Sequence, residues 1–324
     1  VNLQLGRALG IVAKTFPYLV YRALVYGACC AAVALGVLFL ALIGKVFGGT
    51  AALILFVLAM LGGGFGARLL REYVLYVLKA GHVALIAELA TNGKLPDGVS
   101  QTAWARGRVV ALFKEISALA LVDQLVKGVI QTVNRTIFRV MDVLPLPGLD
   151  GAKNLAGRIV DASLTYVDES ILAHAFRTRS DDVFGAAKQG LVLYCMAWRG
   201  LLKNAVALTL LGYALTVATA VLFLLPLGVV AWTLPPDWAF TKLGAFLLAL
   251  FLGFSVKWVL WDPIACASTV LTFFAETEGV EPDRAWEERL ATASEAFRDL
   301  QQRALDALRT ATPTDDAPRA NVSP

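Results

Sequence analysis

Four apolar runs constrain this chain more than any other feature in it. A helix needs about 20 residues to cross about 30 Å of hydrocarbon, and the runs Ala23–Gly44, Ala51–Leu70, Ala205–Trp232 and Phe240–Trp261 all have that reach. With 58% hydrophobic and only 17% charged residues, the 324-residue chain is too apolar for an ordinary water-soluble domain. The expectation is an all-α integral membrane protein, with four transmembrane helices in two hairpins separated by a cytoplasmic amphipathic helical pair.

The basic residues orient the spans. Arg7, Lys14 and Arg22 precede the first, Arg68, Arg71 and Lys79 follow the second, and Arg199 and Lys203 precede the third. The connecting loops hold only Lys45 and Lys242. By the positive-inside tendency both termini and the central segment are cytoplasmic. The first run resembles a secretory leader in its basic flank, but it is about twice as long as a leader's core and no small-residue cleavage site ends it, so it reads as a retained span. Val1 fits either a literally translated GTG start codon, hence a bacterial gene and its inner membrane, or a trimmed chain.

Five regions follow from these patterns. Residues 1–91 form a first hairpin with a helical extension, and residues 92–190 form the amphipathic helices. Residues 191–278 form the second hairpin, 279–310 a C-terminal amphipathic helix, and 311–324 a tail with no apolar periodicity. The extension ends at the turn residues Asn92-Gly93 and Pro96-Asp97-Gly98. A long helix is then expected from Gln101 to Leu144, because Val109, Leu112, Ile116, Leu119, Val122, Val126, Val129 and Val133 recur at spacings of three and four. A second is expected from Asp150 to Phe176, with Leu155, Ile159, Leu164, Val167 and Ile171 on its apolar side. After Asp283, Trp286, Leu290, Phe297, Leu300 and Ala304 keep near-heptad spacing, as a docking helix or a short coiled coil does. The hairpins share an aromatic-Arg-small-Leu entry and a "VLFL", which is either a parallel repeat or chance similarity of apolar sequence.

The motifs for catalysis are missing. The two histidines, His82 and His174, stand far apart, each without a ligand at zinc spacing. There is no P-loop and no nucleophile elbow, and the glycines of "GGGFGARL" follow a membrane helix rather than a strand, where they allow close packing in lipid. No enzyme activity, metal or cofactor is expected. A net charge of +4 without a basic stripe and interleaved aromatics does not indicate nucleic acid. The four cysteines read as packing residues.

The stretch "KWVLWDPIACAS", residues 257–268, carries the sharpest question. Lys257, Trp258, Trp261 and Asp262 suit the end of a span, where lysine snorkels and tryptophan marks the interface. Yet "IACASTVLTFF" continues apolar, so Asp262 also suits a proline-broken helix facing a cavity, where a carboxylate favours a cation or a proton. Arg68, Arg71 and Glu72 hold the corresponding exit of the first hairpin, and Lys257 or Arg71 is placed to neutralise Asp262. These five are the candidate solute or ion path.

From Tyr166 to Gly279 the patterns "YVDESILAHAF", "FGAAKQGLVLYCMAWRGLLKNAV" and "WDPIACASTVLTFFAETEG" resemble the C-terminal region of the choline-transporter-like solute carriers. The resemblance covers about a third of the chain, and Lys188, Arg199, Lys203 and Asp262 are the matching positions. It implies transport of choline-like solutes, although that family has many more spans, so a pathway of its kind requires an oligomer or a partner. Two functions follow as expectations. One is a small-solute or ion permeation protein acting as a homo-oligomer or in a membrane complex; the other is a non-catalytic scaffold or accessory subunit that recruits partners through its cytoplasmic helices.

Overall fold

A computed structural model of the chain describes residues 3–48, 50, 54–55, 57–58, 75–113, 116–136, 152–179, 182–233 and 239–311. It is all-helical, 91% helix, with no strand among the described residues. The helices are α1 Leu5–Lys14, α2 Phe16–Phe47, α3 Tyr76–Asn92, α4 Gln101–Phe113, α5 Ile116–Thr136, α6 Ala152–Thr178 and α7 Val183–Thr233. There follow α8 Ala239–Val256, a π-turn at Lys257–Trp261, α9 Asp262–Glu276, α10 Arg284–Ala293 and α11 Glu295–Ala311.

Three described helical stretches, Phe16–Phe47, Val183–Thr233 and Lys242–Glu276, are long and apolar enough to cross a membrane. The run Ala51–Leu70, expected as a fourth span, lies largely outside the described residues.

The long helices have two differently dressed ends. With 51 residues, α7 is about 76 Å long, more than twice the hydrocarbon thickness. Its buried residues run from Val183 to Ala220, and none is buried from there to Thr233. In α2, Tyr18, Leu19 and Arg22 are buried, whereas Leu35, Leu38, Phe39, Leu42 and Phe47 are exposed. Exposed Val221, Leu222, Leu225 and Val229 of α7, with Phe246 and Leu247 of α8, complete an apolar end. In a bilayer such faces meet lipid, so their exposure is no defect.

At the apolar end the helices approach through small residues. A Cβ on Gly253 would lie 2.9 Å from the Ala220 backbone nitrogen, and Thr219 Oγ1 comes within 3.3 Å of the Gly253 carbonyl across the contact. Such small-residue seams let backbones pack closely where no hydrophobic effect drives them.

The packed end buries α3 and α6 almost all round. From Leu78 to Leu89 nearly every residue of α3 is buried, and in α6 every residue from Tyr166 to Phe176 except Leu172 is buried. The second amphipathic helix expected at Asp150–Phe176 therefore has the right extent, but its C-terminal half is buried on nearly every side. It lies along α7, and α9 packs on both. Eleven of the fifteen residues of α9 are buried, so "IACASTVLTFF" is apolar because it fills this core rather than lipid.

Local signals fix several ends. Gly93 takes the left-handed conformation (φ 72°) that caps α3, where a side chain would be strained. Asp283 caps α10 by accepting the Ala285 N–H at 2.9 Å. The C-terminal helix expected as one piece is two, because Ser294 is extended and its Oγ accepts the Phe297 N–H. Leu290, Phe297 and Leu300 are fully buried against α5 and α7, so this pair docks on its own chain. The helix expected from Gln101 to Leu144 is α4 and α5 within the described residues, and its C-terminal part, including "LPLPG", lies outside them.

His174 sits inside this core, edge-on to Phe273 at 6.0 Å, with its Nε2 buried and without a hydrogen-bond partner. Burial, and then the neighbouring Arg177, lower its pKa to about 4. A histidine neutral in the fold but protonated in the unfolded chain destabilises as pH falls from about 6.5, the unfolded pKa, to about 4, the folded one. The expected loss over that window is about 2–3 kcal/mol. Denaturant titrations of detergent-purified protein should show His174→Leu with a distinctly shallower acid slope than wild type; an identical slope would contradict the neutral core histidine. Separately, Gly253→Val should destabilise the protein by about 1–3 kcal/mol, because its side chain meets α7 backbone. A melting temperature equal to wild type would show that the seam is loose.

Candidate functional site

Charge converges where the apolar end meets the packed end. Lys257 and Asp262 are five apart in sequence, and on an α-helix residues five apart point about 140° away from each other. The π-turn removes that mismatch. The Asp262 N–H bonds to the Lys257 carbonyl, an i→i+5 winding that sets the two side chains over one another. Lys257 Nζ then lies 2.7 Å from Asp262 Oδ1, with the side chains 15% and 20% exposed. Tyr166 of α6 donates its hydroxyl to the same oxygen at 2.9 Å. Pro263 falls in the first turn of α9, where a missing N–H costs nothing, so the helix is locally underwound and not broken.

Around this pair lies a second set of charges from three helices. Lys79 of α3 pairs with Glu169 of α6. Lys127 of α5 pairs with Asp123 one turn away at 2.6 Å and reaches Asp168 of α6 at 3.5 Å. Asp168 and Glu169 are each only 4% exposed. Burial raises the Asp168 pKa against the pull of Lys79 and Lys127, and the nearby Asp123 and Glu169 carboxylates raise it further. Burial opposes the Lys79 ammonium, yet Glu169 and Asp168 hold its pKa above the ordinary value.

Arg22 of α2 is held differently. Thr15 Oγ1 stands 2.9 Å from both the Val12 carbonyl and His82 Nε2. With the hydroxyl donating to Val12, Nε2 carries the imidazole proton, and Nδ1 accepts from Arg22 Nη1 at 3.3 Å. Burial, and then Arg22, keep the His82 pKa well below its ordinary value, so this ring is neutral. Arg22 Nη2 donates to the Trp258 carbonyl inside the π-turn.

These groups face one cavity of about 1990 Å³. Its walls come from α2, α3, α5, α6, α8, the π-turn, α9 and α11, with Arg22, Lys79, Lys127, Lys257, Asp123, Glu169 and Asp262 among its lining. Val25, Ala28, Cys29, Ala32, Val33 and Phe251 supply an apolar side. The volume exceeds the range of about 300–1,000 Å³ common for small-molecule sites.

Of the five residues expected from sequence, Lys257 and Asp262 are brought together, while Arg68, Arg71 and Glu72 lie outside the described residues. Of the positions carried by the resemblance, only Asp262 lines the cavity. Lys188 instead pairs with Glu287 at 3.3 Å, Arg199 lies over the Trp198 ring at 5.5 Å, and Lys203 is exposed. Lys79, Asp168, Glu169 and Arg22 were not singled out as site residues by the sequence reading. A signal was present in "YVDESIL", two adjacent acids inside an apolar helix, but their partners come from distant helices. Among the described residues no group of three or more histidine, cysteine or acidic side chains is placed to hold a metal ion.

Comparison with family models, curated proteins and solved structures finds no match to this chain.

The Lys257–Asp262 pair makes a sharp test. Asp262→Asn leaves a largely buried ammonium without its counter-charge and should cost about 1–3 kcal/mol, whereas Asp262→Asn with Lys257→Gln should recover at least half of that. Unfolding of the two single variants and the double variant measures the coupling, and strictly additive costs would mean that the pair is not formed.

Proposed function

We propose that the protein is a four-span membrane protein of two hairpins, with both termini cytoplasmic, that takes up a small solute or ion at the cytoplasmic mouth of its spans and passes it as an oligomer. The supporting observation is the cavity of about 1990 Å³, into which charged groups from α2, α3, α5, α6 and the π-turn converge. Converging polar groups at membrane depth are the feature expected of solute handling rather than of a passive anchor. The orientation rests on the basic residues flanking the spans, which place this mouth on the cytoplasmic side. The scaffold alternative is weakened because α10 and α11 spend their apolar face on the chain's own core. No catalytic step is assigned, and choline-like cations enter only through the resemblance of residues 166–279.

The test is flux into liposomes holding purified protein, screening choline-like cations, protons and inorganic ions. Wild type should give saturable flux above empty liposomes. The double variant Asp262→Asn with Lys257→Gln, folded and incorporated equally, should lose at least about tenfold, the scale of one charge-assisted contact. Unchanged flux would return the pair to a purely structural role, and no wild-type flux for any solute would sink the permeation reading.

A further inference from the structure

The charge inventory of the cavity is uneven in one place. Lys79 has Glu169, Lys127 has Asp123 and Asp168, and Lys257 has Asp262. Arg22, only 4% exposed, has no carboxylate within ion-pair distance among the described residues. Its partners are a neutral imidazole and a backbone carbonyl, and its Nε is buried with no hydrogen-bond partner. A guanidinium held out of water without a counter-ion is costly, and its planar fork fits a carboxylate or a phosphate. Acids at the cavity wall do not supply the missing charge: Asp262 is occupied by Lys257 and Tyr166, and Asp299 by Arg303 at 3.4 Å.

The wall beside Arg22 changes character along α2. One turn on come Val25 and Tyr26, then Cys29, Ala32 and Val33, all lining the cavity. Beyond them α2 continues into its exposed apolar end, through Leu35, Leu38 and Phe39. A molecule whose charge sits against Arg22 can therefore run an apolar chain toward lipid without leaving an apolar surface. The cavity of about 1990 Å³ is also far larger than a small ion needs and leaves room for a chain molecule.

We infer that the cavity binds an anionic single-chain amphiphile, its acidic head against Arg22 and its tail along Val25, Cys29, Ala32 and Val33. This rests on the solute-handling reading of the same cavity and names its substrate class. The head is a carboxylate, as in a free fatty acid, or a phosphate monoester, as in a lysophospholipid; both present the same anionic oxygens to the guanidinium.

Trp258 makes the site visible. It lies 5.6 Å from the Tyr26 ring and stacks on Phe254 at 5.7 Å, and its own carbonyl receives Arg22. Full-length protein in detergent is titrated with dibromostearate, whose bromines quench nearby tryptophan, with Trp258→Phe identifying the reporting ring. Saturable quenching is expected in wild type, displaced by oleate, by oleoyl lysophosphatidate, or by both, and not by oleyl alcohol or dodecyltrimethylammonium. Displacement by oleate alone assigns a free carboxylate, and by the lysophosphatidate alone a lipid phosphate. Arg22→Gln should weaken binding about tenfold to a hundredfold, the scale of a charge-assisted contact. Should that variant fail to fold, Cys29→Phe, which narrows the tail wall and leaves the charges alone, should weaken binding as well. Equal displacement by the alcohol or the cation, unchanged binding in a folded Arg22→Gln, or absence of saturable quenching in wild type overturns the inference. Small-solute flux without amphiphile quenching overturns this assignment alone, whereas quenching without flux upholds it and removes passage.

Discussion

A single long helix passing through two environments governs this structure. α7 is helical from Val183 to Thr233, and its one interior proline, Pro226, which cannot donate to the Leu222 carbonyl, lies beyond the point where the packed core stops. Side chains set that boundary, and burial gives out after Ala220. Because α7 runs through both ends as one helix, α8, the π-turn and α9, which pack back along it, make the same change of environment. They make it at Lys257–Trp261, where Trp261 Nε1 donates to the Leu208 carbonyl at 3.0 Å and pins the turn against α7. The close approach at Gly212, where a Cβ would lie 2.6 Å from that same indole nitrogen, is the other half of this clamp.

Polar groups collect at this junction, and their pairing follows from its dielectric. Water does not reach Asp168 and Glu169 freely, yet apolar packing alone does not fill the space between α3, α5 and α6. Carboxylates there are tolerated because Lys79 and Lys127 come from the facing helices. Removing one partner from such a set is far more costly than never having built it, so the cluster holds α3, α5 and α6 in one register. The π-turn does similar work, since without the extra residue Lys257 and Asp262 would face away from each other. Arg22 stands apart, because α2 brings it in from a helix that offers no acid.

Much of the architecture was legible because it rests on local pattern. The turn at Asn92-Gly93, the cap at Asp283 and the extent of α6 were readable from residue types whose conformational preferences act alone. The break at Ser294 had a signal, a serine followed by Glu295 in the manner of a helix start, but the apolar spacing runs through it unbroken and hid it. The site was legible only at Lys257 and Asp262, which are neighbours in sequence. Lys79 meets Glu169 across ninety residues of chain and Lys127 meets Asp168 across some forty, and periodicity reports which face of a helix is apolar, not how many helices surround it. For α6 that number is large enough to bury Asp168 and Glu169, which turns an apparent polar side into a buried charge cluster. The π-turn has no sequence signature, since "KWVLW" is ordinary helix.

The hydroxyls of the apolar end bear on how a solute would travel. Thr216 donates to the Gly212 carbonyl, Thr219 to Leu215 and Ser255 to Phe251, each at 2.8 Å and each one turn back on its own helix. These groups are spent on backbone acceptors, so among the described residues they offer a polar solute little beyond the level of the π-turn. For the proposed solute, recognition and passage are thus separate problems. The charged cavity would supply the first, with a geometry that depends on α7 and the π-turn. The second would fall to the exposed faces of α2, α7 and α8, where an apolar chain needs no polar partner and a small ion would need a second copy to supply one.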